Sequence, residues 1–261
     1  MIIYTSGKLY GVYRDRGLES LYVILREYLK GLNIRFKVLV NDDGWVDVEL
    51  DGEDSSIACR IIERILGVRL VYDRDLDRFS VWVGRIKAVA SGGLIIDVGV
   101  VEAMIAAEMV KLQLESDYEE AIAMYGLYPS VPVEIRLYKL MEGGCYAASF
   151  SDRFLSRLYE WGATGLSRVL ITGATLSMVR RYLRRMGLER YVAYYERLGI
   201  LEHHIVCKIA SNPQRIIQVL KSLSSDIAVY LVKPKPIGYL SLLQTQDYTY
   251  GFSEPLPIGF I

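Results

Sequence analysis

The chain has 261 residues, of which 52% are hydrophobic and 24% charged, and this length suits about two to four compact modules. Lys and Arg together number 31, as do Asp and Glu, so the formal net charge is zero. An overall electrostatic attraction to nucleic acid or to an anionic membrane is therefore excluded, and only local charged patches remain as binding surfaces for such partners.

The cysteines argue for a reducing compartment. Cys59, Cys145 and Cys207 are isolated and odd in number, and no signal peptide is recognised ahead of them. Charged residues or glycines interrupt every apolar run before it reaches the ~18 residues that span a bilayer. We therefore expect a cytoplasmic protein without a membrane partner. The many Ile, Val, Tyr and Arg residues suit a thermophile.

The first segment, residues 1–73, begins with an apolar, strand-like run at 1–4 and then alternates between helix-like and strand-like patterns. One helical face carries apolar residues at three- and four-residue spacing, namely Leu18, Leu21, Tyr22, Leu25 and Leu29. Two strand-like runs, 34–40 and 45–50, flank a turn that ends in glycine, which predicts a hairpin. A second helix over 55–65 and a last strand over 68–72 complete the order β-α-β-β-α-β, which predicts a ferredoxin-like domain.

The second module, residues 79–149, follows a charged stretch at 73–78 that we interpret as a domain boundary. Strand-like runs occur at 81–89, 94–98 and 131–140, with an acidic helical insert before the last of them. Glycines between the strands allow the sharp corners of a small barrel. We therefore predict an OB-type β-barrel with a helical insert.

The rest of the chain divides into two further segments. Residues 150–200 are rich in Arg and Tyr and are predicted to be helical, although 168–175 also suits a strand that leads into a helix. Residues 201–261 predict a small α/β unit, in which Asn212-Pro213 begins a helix and a Pro-containing tail from Lys233 lies extended, available to a protein partner. The whole chain is thus predicted to be α+β and multidomain, without an internal repeat.

The barrel strands resemble the RNA-binding OB barrel repeated in the largest small-subunit ribosomal protein. The spacing of glycines from Gly84 to Gly99 and the turn Asp97-Val98-Gly99 carry this resemblance. It implies a barrel that contacts RNA. The alternative is a barrel that packs against the neighbouring domains.

Two positively charged residues on the first barrel strand are candidate nucleic-acid contacts. Strand alternation places Arg85 and Lys87 on the side away from Ile86 and the core, where both are expected to face a phosphate backbone. Such barrels stack bases on aromatic rings, yet Leu94 and Ile95 occupy the positions where the pattern favours an aromatic.

A second resemblance covers most of the chain. The motifs that carry it are Leu158-Tyr159-Glu160-Trp161, the stretch from Arg168 to Arg180 with Ala174-Thr175, and above all Glu196-Arg197-Leu198-Gly199-Ile200-Leu201-Glu202-His203, followed by Val206-Cys207-Lys208. They resemble the archaeal family catalogued as Domain of Unknown Function 2110. The resemblance implies an archaeal, cytoplasmic protein. It brings no activity with it, so the motif residues gain no roles from it.

The strongest local charge lies on a helix predicted between Thr175 and Gly187. At ~100° per residue the apolar residues fall on one side of this helix and four arginines on the other, namely Arg180, Arg181, Arg184 and Arg185. Between 152 and 197, nine arginines face four acidic residues. This basic face either binds a nucleic-acid backbone, docks on acidic surface of the first module, notably the segment 42–54, or of the helical insert, or is simply solvated.

The candidate catalytic, metal and nucleotide sites are all incomplete. Gly173 alone does not make the three-glycine dinucleotide fingerprint, although the helix start at 172–175 offers N–H groups to a phosphate. His203, His204 and Cys207 lack the further ligands that a structural zinc needs. We therefore predict no catalytic residues, no cofactor and no metal.

Three functions follow, in order of preference. The first is a non-catalytic RNA-binding or ribosome-associated accessory protein that uses the basic helix and the barrel, with Tyr191, Tyr194 and Tyr195 as either stacking rings or core residues. The second is a protein–protein adaptor with the arginine face docked internally. The third is a nucleotide-binding enzyme.

Overall fold

The computed structural model describes residues 1–72, 76–209 and 211–235. Within these ranges the chain folds into twelve strands and seven α-helices, which form two sheets and one closed barrel. This confirms a mixed α+β fold. No helix of the described residues is both long enough and apolar enough to cross a membrane.

The N-terminal unit contains the first five predicted elements, β-α-β-β-α, but isolated bridges at Val68 and Leu70 take the place of the strand predicted over 68–72. Its elements are β1 (Ile2–Lys8), α1 (Arg14–Tyr28), β2 (Ile34–Val40), β3 (Trp45–Gly52) and α2 (Ser55–Leu66). The sheet is antiparallel in the order β1-β3-β2, and Thr5 of β1 also bridges Val68, so the chain after α2 returns to the free edge of β1. Leu21 and Leu25 of α1 are fully buried against this sheet, as their spacing predicts.

The turn between β2 and β3 requires its glycine. Gly44 has a φ of +84°, and a Cβ there would lie 2.2 Å from the carbonyl oxygen of Leu9. Only glycine combines that backbone conformation with such a close approach. The turn thereby fixes the register of the hairpin, in which Val40 faces Val46.

The central unit is a closed five-stranded barrel. Its elements are β4 (Val81–Ala90), β5 (Gly93–Asp97), β6 (Glu102–Ala106), α3 (Ala107–Leu114), α4 (Tyr118–Tyr125), β7 (Pro132–Leu140) and β8 (Tyr146–Phe150). The strand order around the barrel is β4-β5-β6-β8-β7, and β6 and β8 run parallel. The helical insert is less exposed than its acidic sequence suggests, because Val110, Leu114 and Tyr125 pack into the same core as the strands.

The C-terminal unit differs from the prediction for residues 150–200. Its elements are α5 (Asp152–Thr164), β9 (Arg168–Thr172), α6 (Leu176–Arg185), β10 (Val192–Arg197), β11 (Glu202–Cys207), α7 (Pro213–Lys221) and β12 (Ala228–Val232). The four strands form one antiparallel sheet in the order β10-β11-β9-β12. The segment predicted as helical therefore supplies two strands, and the expected boundary at residue 200 falls inside one sheet.

The two faces of this sheet have different neighbours. Val169 and Ile171 of β9 pack under α6 and α7, whereas Leu170 between them packs with α4, α5 and the barrel core. From β9 to β12 the order of elements is β-α-β-β-α-β, and residues 1–66 share the first five elements of this order. The two units therefore share most of a topology that the sequence does not reveal as a repeat.

Two details concern the end of the described chain. The helix α7 begins as predicted, with Pro213 in its first turn and the Asn212 side chain accepting a hydrogen bond from the N–H of Gln214. The chain after β12 is held on α4, because the Tyr125 hydroxyl donates to the carbonyl of Lys235 at 2.8 Å. The predicted partner-binding tail from Lys233 lies, beyond residue 235, outside the described residues.

Candidate nucleic-acid interface

The outer side of α6 is the candidate interface. Val179 and Leu183 bury the opposite side of the helix in the core of the C-terminal unit. The outer side carries Arg180, Arg181, Arg184 and Arg185, which we call the basic surface. Arg181, Arg184 and Arg185 are exposed and Arg180 is half-buried. The helical period thus separates apolar and charged residues as the sequence predicts.

Few acidic groups neutralise the basic surface. Arg184 pairs with Glu189 at 2.8 Å but stays 67% exposed, and its guanidinium holds the pKa of the Glu189 carboxyl below the usual value through their hydrogen bonds. Arg180 and Arg185 lie over tyrosine rings rather than against carboxylates. Arg181 has no ion-pair partner within the described ranges. The surface therefore keeps most of its positive charge.

The charge of the neutral chain is strongly segregated. Residues 168–235 contain twelve Lys and Arg against four acidic residues, Glu189, Glu196, Glu202 and Asp226. Residues 1–72 contain ten Lys and Arg against eleven acidic residues. Such an excess on one unit creates a positive local potential that the net charge conceals.

The acidic segment 42–54 does not cover the basic surface. Both carboxylate oxygens of Asp47 accept hydrogen bonds from Nη2 of Arg69, at 2.7 and 2.8 Å, and Asp51 pairs with Arg35 at 3.1 Å. In the part of the chain that the structure describes, no ion pair joins this segment or the helical insert to α6. The internal docking considered for the arginine face therefore lacks the contact it needs.

Arg85 lies in a different place from the one its strand alternation suggests. Its side chain points away from the barrel core, but there it is buried, and its Nη1 lies 2.8 Å from Oε2 of the fully buried Glu202. The guanidinium also donates to the carbonyls of Ser6 and Ser130, both at 2.9 Å. Because three units enclose it, Arg85 is not available to a phosphate backbone.

The Arg85 and Glu202 pair is completed by a phenol from the N-terminal unit. The Tyr10 hydroxyl donates to Oε1 of Glu202 at 2.6 Å, and burial together with the neighbouring carboxylate raises the pKa of Tyr10. The phenol therefore stays protonated and remains a donor. A tyrosine, an arginine and a glutamate from three different units thus share one buried contact.

Lys87, the second barrel candidate, is exposed but paired. Its ammonium group contacts Glu102 of β6, which reduces its attraction for another anion. Nearby, Lys8 pairs with Asp97 of β5 at 3.1 Å. Leu94 is fully buried, whereas Ile95 on the outer side of β5 is half-buried and aliphatic. This side of the barrel offers paired charges and aliphatic carbon.

A second buried charge cluster joins α5 to the C-terminal sheet. Glu196 accepts hydrogen bonds from Arg157 at 2.9 Å, from Arg168 at 2.6 Å and from the Trp161 indole at 3.1 Å. Arg168 is only 1% exposed, and the imidazole of His204 contacts the Trp161 ring with centroids 4.6 Å apart. Although burial alone would raise the pKa of Glu196, His204 and the two arginines hold it well below the usual range.

These contacts give the motif from Glu196 to His203 a structural role, because they join it to the other two units. Between Glu196 and Glu202 the chain turns, and Ile200 and Leu201 insert into the core of the N-terminal unit. A Cβ on Gly17 would lie 3.1 Å from Leu201 Cδ2, and one on Gly7 would lie 3.0 Å from Ile200 Cδ1, so both glycines leave room for the insertion. The sequence did contain a clue, since charged residues inside an apolar run need buried partners.

The remaining candidates do not form a ligand site. The N–H groups of Gly173 and Ala174 donate to the Leu201 carbonyl, at 3.0 and 3.3 Å, and are therefore not free to hold a phosphate. His203 and His204 are both buried on β11 and point to opposite faces of the sheet. Among the described residues, no group of His, Cys, Asp and Glu is arranged to hold a metal ion.

Comparison with known proteins gives a family but no activity. Three family models match consecutive parts of the chain: DUF2110 N-terminal domain over residues 2–67, DUF2110 central domain over 78–162 and DUF2110 C-terminal domain over 166–229. The search of curated proteins finds no match.

Two solved structures resemble part of the chain. GSP13 from Bacillus subtilis is 15% identical with a TM-score of 0.25, and the match covers 29% of this chain and 56% of that one. The uncharacterized protein MJ1198 from Methanocaldococcus jannaschii is 10% identical with a TM-score of 0.24, and the match covers 30% of this chain and 95% of that one. Scores this low carry no argument about function.

Proposed function

We propose that this protein, which belongs to the DUF2110 family, is a non-catalytic RNA-binding protein of the kind that accompanies the ribosome or another translation machine. Its contact with RNA is the basic surface on α6. Arg85 is left out of the proposed contact because it is buried in an ion pair. Lys87 is left out because the lysines and acids on its side of the barrel are matched in pairs, whereas Arg184 lies beside arginines that have no carboxylate partner among the described residues.

We also propose specific fold types on the basis of strand order. The barrel order β4-β5-β6-β8-β7, with helices between the third and fourth strands, fits an OB-type barrel. The order β10-β11-β9-β12, and the order β1-β3-β2 with the Val68 bridge beyond β1, fit two ferredoxin-like units. Four-stranded sheets and OB barrels both occur in RNA-binding proteins, which is an analogy of fold, and the proposal itself depends on the basic surface.

The observation that carries the proposal is the exposure of the arginines on the most basic unit. Guanidinium groups are suited to phosphate, because their planar N–H fork matches its oxygens and because binding releases counterions from the nucleic acid. Arginines four residues apart on one helix face repel each other and lower stability, and a bound anion reduces this repulsion. A phosphate backbone is an anion of the required charge density.

The test is a charge reversal with a matched control. We expect the Arg181→Glu, Arg185→Glu variant to bind RNA more weakly than the wild type and to lower the slope of log K against log salt by about two, since each lost phosphate contact removes about one. The control is Arg60→Glu with Arg64→Glu, which are exposed arginines at the same spacing near the end of α2. It carries the same charge change and should leave the slope unaltered.

Binding is measured by fluorescence anisotropy with labelled RNA from about 50 to 200 mM salt, and circular dichroism checks that both variants fold. Four phosphate contacts predict that wild-type affinity falls about 150-fold over this range. Absence of binding at the lowest salt would contradict the proposal. Equal weakening by the two double variants would also contradict it, since α6 would then have no special part in binding.

A further inference from the structure

The aromatic rings beside the basic surface are already covered by cations. Arg180 lies over the Tyr195 ring at 5.3 Å, Arg185 over Tyr182 at 5.6 Å and Arg190 over Tyr191 at 4.9 Å. All three rings also pack partly buried against the core of the C-terminal unit. Bases of a single strand bind by stacking on open aromatic faces. These tyrosines do not offer such faces.

The sheet face that could display further rings is closed by the rest of the protein. Tyr230 of β12 stacks on Tyr128 with centroids 3.8 Å apart and planes at 9°, and His204 of β11 lies against Trp161. Tyr194 is 38% exposed to solvent, but its hydroxyl accepts a hydrogen bond from the buried Arg168. One partly exposed ring, on the sheet face opposite α6, is a poor platform for successive bases.

The outer side of β5 and β6 does not supply a stacking surface either. The residues that point outward on β5 and β6 are aliphatic or acidic: Ile95, Asp97, Glu102 and Met104. Both acids face lysines, so this side carries paired charges and no excess positive potential. Neither the basic surface on α6 nor the outer side of β5 and β6 therefore combines excess positive charge with open aromatic rings.

We infer that the RNA bound by the basic surface is double-stranded and is recognised through its backbone phosphates rather than its bases. This inference rests on the proposed function. A duplex hides its base faces in the stack and presents about one phosphate charge per 1.7 Å of axis, counting both strands, against one per 3.4 Å for one strand.

The spacing of the arginines suits the higher phosphate density of a duplex. From Arg180 to Arg185 the helix rises about 7.5 Å at ~1.5 Å per residue. That length of duplex axis carries about four phosphates on its two strands, whereas a single strand carries about two. A single strand would therefore present about half as much negative charge to the basic surface.

The experiment compares one 20-base-pair RNA duplex with each of its separate strands, chosen to be free of internal pairing, at about 100 mM salt. We expect the duplex to bind at least about tenfold more tightly, since it engages about two more phosphates. A second duplex of unrelated sequence should bind within about threefold of the first, because phosphate contacts carry no sequence information. The Arg181→Glu, Arg185→Glu variant should bring duplex affinity down to the level of the strands, and the Arg60→Glu, Arg64→Glu control should not.

The outcomes separate this inference from the proposed function. If the single strands bind as tightly as the duplex, or if the two duplexes differ by more than about tenfold, the inference is overturned while RNA binding stands. If neither form binds at about 50 mM salt, the proposed function itself fails.

Discussion

Replacing Arg85 by methionine should destabilise this protein far more than replacing a surface arginine. The side chains of Arg85 and Glu202 are 4% and 0% exposed, so the variant leaves a buried carboxylate with the Tyr10 hydroxyl as its remaining donor. Removing one partner of a buried ion pair costs about 3–5 kcal/mol. At about 2–4 °C per kcal/mol, Tm should fall by about 6 °C or more.

The comparison with a double variant separates a buried charge from lost packing. Arg85→Met combined with Glu202→Leu removes both charges and should regain at least half of the lost free energy of unfolding, because no uncompensated carboxylate remains. The assay is urea unfolding at pH 7 followed by circular dichroism, with Arg181→Met as the exposed control, expected within about 0.5 kcal/mol of wild type. The reasoning is refuted if Arg85→Met costs less than about 1 kcal/mol, or if the double variant loses as much as the two single changes together.

Two further predictions concern the same junction. Burial, and to a lesser extent the nearby Arg197, lowers the pKa of His203 to about 3. Between pH 3 and about 6.5, the pKa of an unfolded histidine, His203 is therefore protonated in the unfolded chain but not in the folded one. The free energy of unfolding should then fall on acidification by up to about 1.4 kcal/mol per pH unit. Urea midpoints at pH 7, 6 and 5 should depend less on pH in His203→Leu than in wild type; an unchanged dependence would remove His203 as a cause. Leu201 is fully buried among residues of the N-terminal unit, so Leu201→Ala should cost about 2–5 kcal/mol and speed proteolysis within residues 1–72, whereas cleavage confined to the C-terminal unit would contradict the insertion.

Local patterns were sufficient where the structure depends on local periods. The alternation in residues 1–66 predicts the order of helices and strands, and the glycine-ended turn at Gly44 predicts the hairpin, because backbone conformation and burial on one face act over a few residues. The basic surface is equally local, since Val179 and Leu183 face inward and Arg181 outward on one helix.

Residues 192–197 show where a local pattern misleads. Tyr191, Tyr194 and Tyr195 have helical spacing, but the segment forms β10, in which Tyr195 pairs with Ile205 and Glu196 with His204. The free edge of β11 supplies the hydrogen bonds that decide this structure. A partner strand distant in the sequence thus overrides the period of a short segment.

The sequence by itself determined the α+β class, most strand and helix positions and the charged face of α6, because each depends on residue order along one element. It also determined the family, because the motifs that carry the resemblance are sequence patterns. Only the tertiary structure decided that Arg85 is buried, that the motif around Ile200 joins three units, and that the aromatic rings near α6 are covered. Alternation tells which side of a strand a residue occupies but not what covers that side. The environment of Arg85 is set by Ser6, Ser130 and Glu202, between 45 and 117 positions away along the chain, and no local period encodes such contacts.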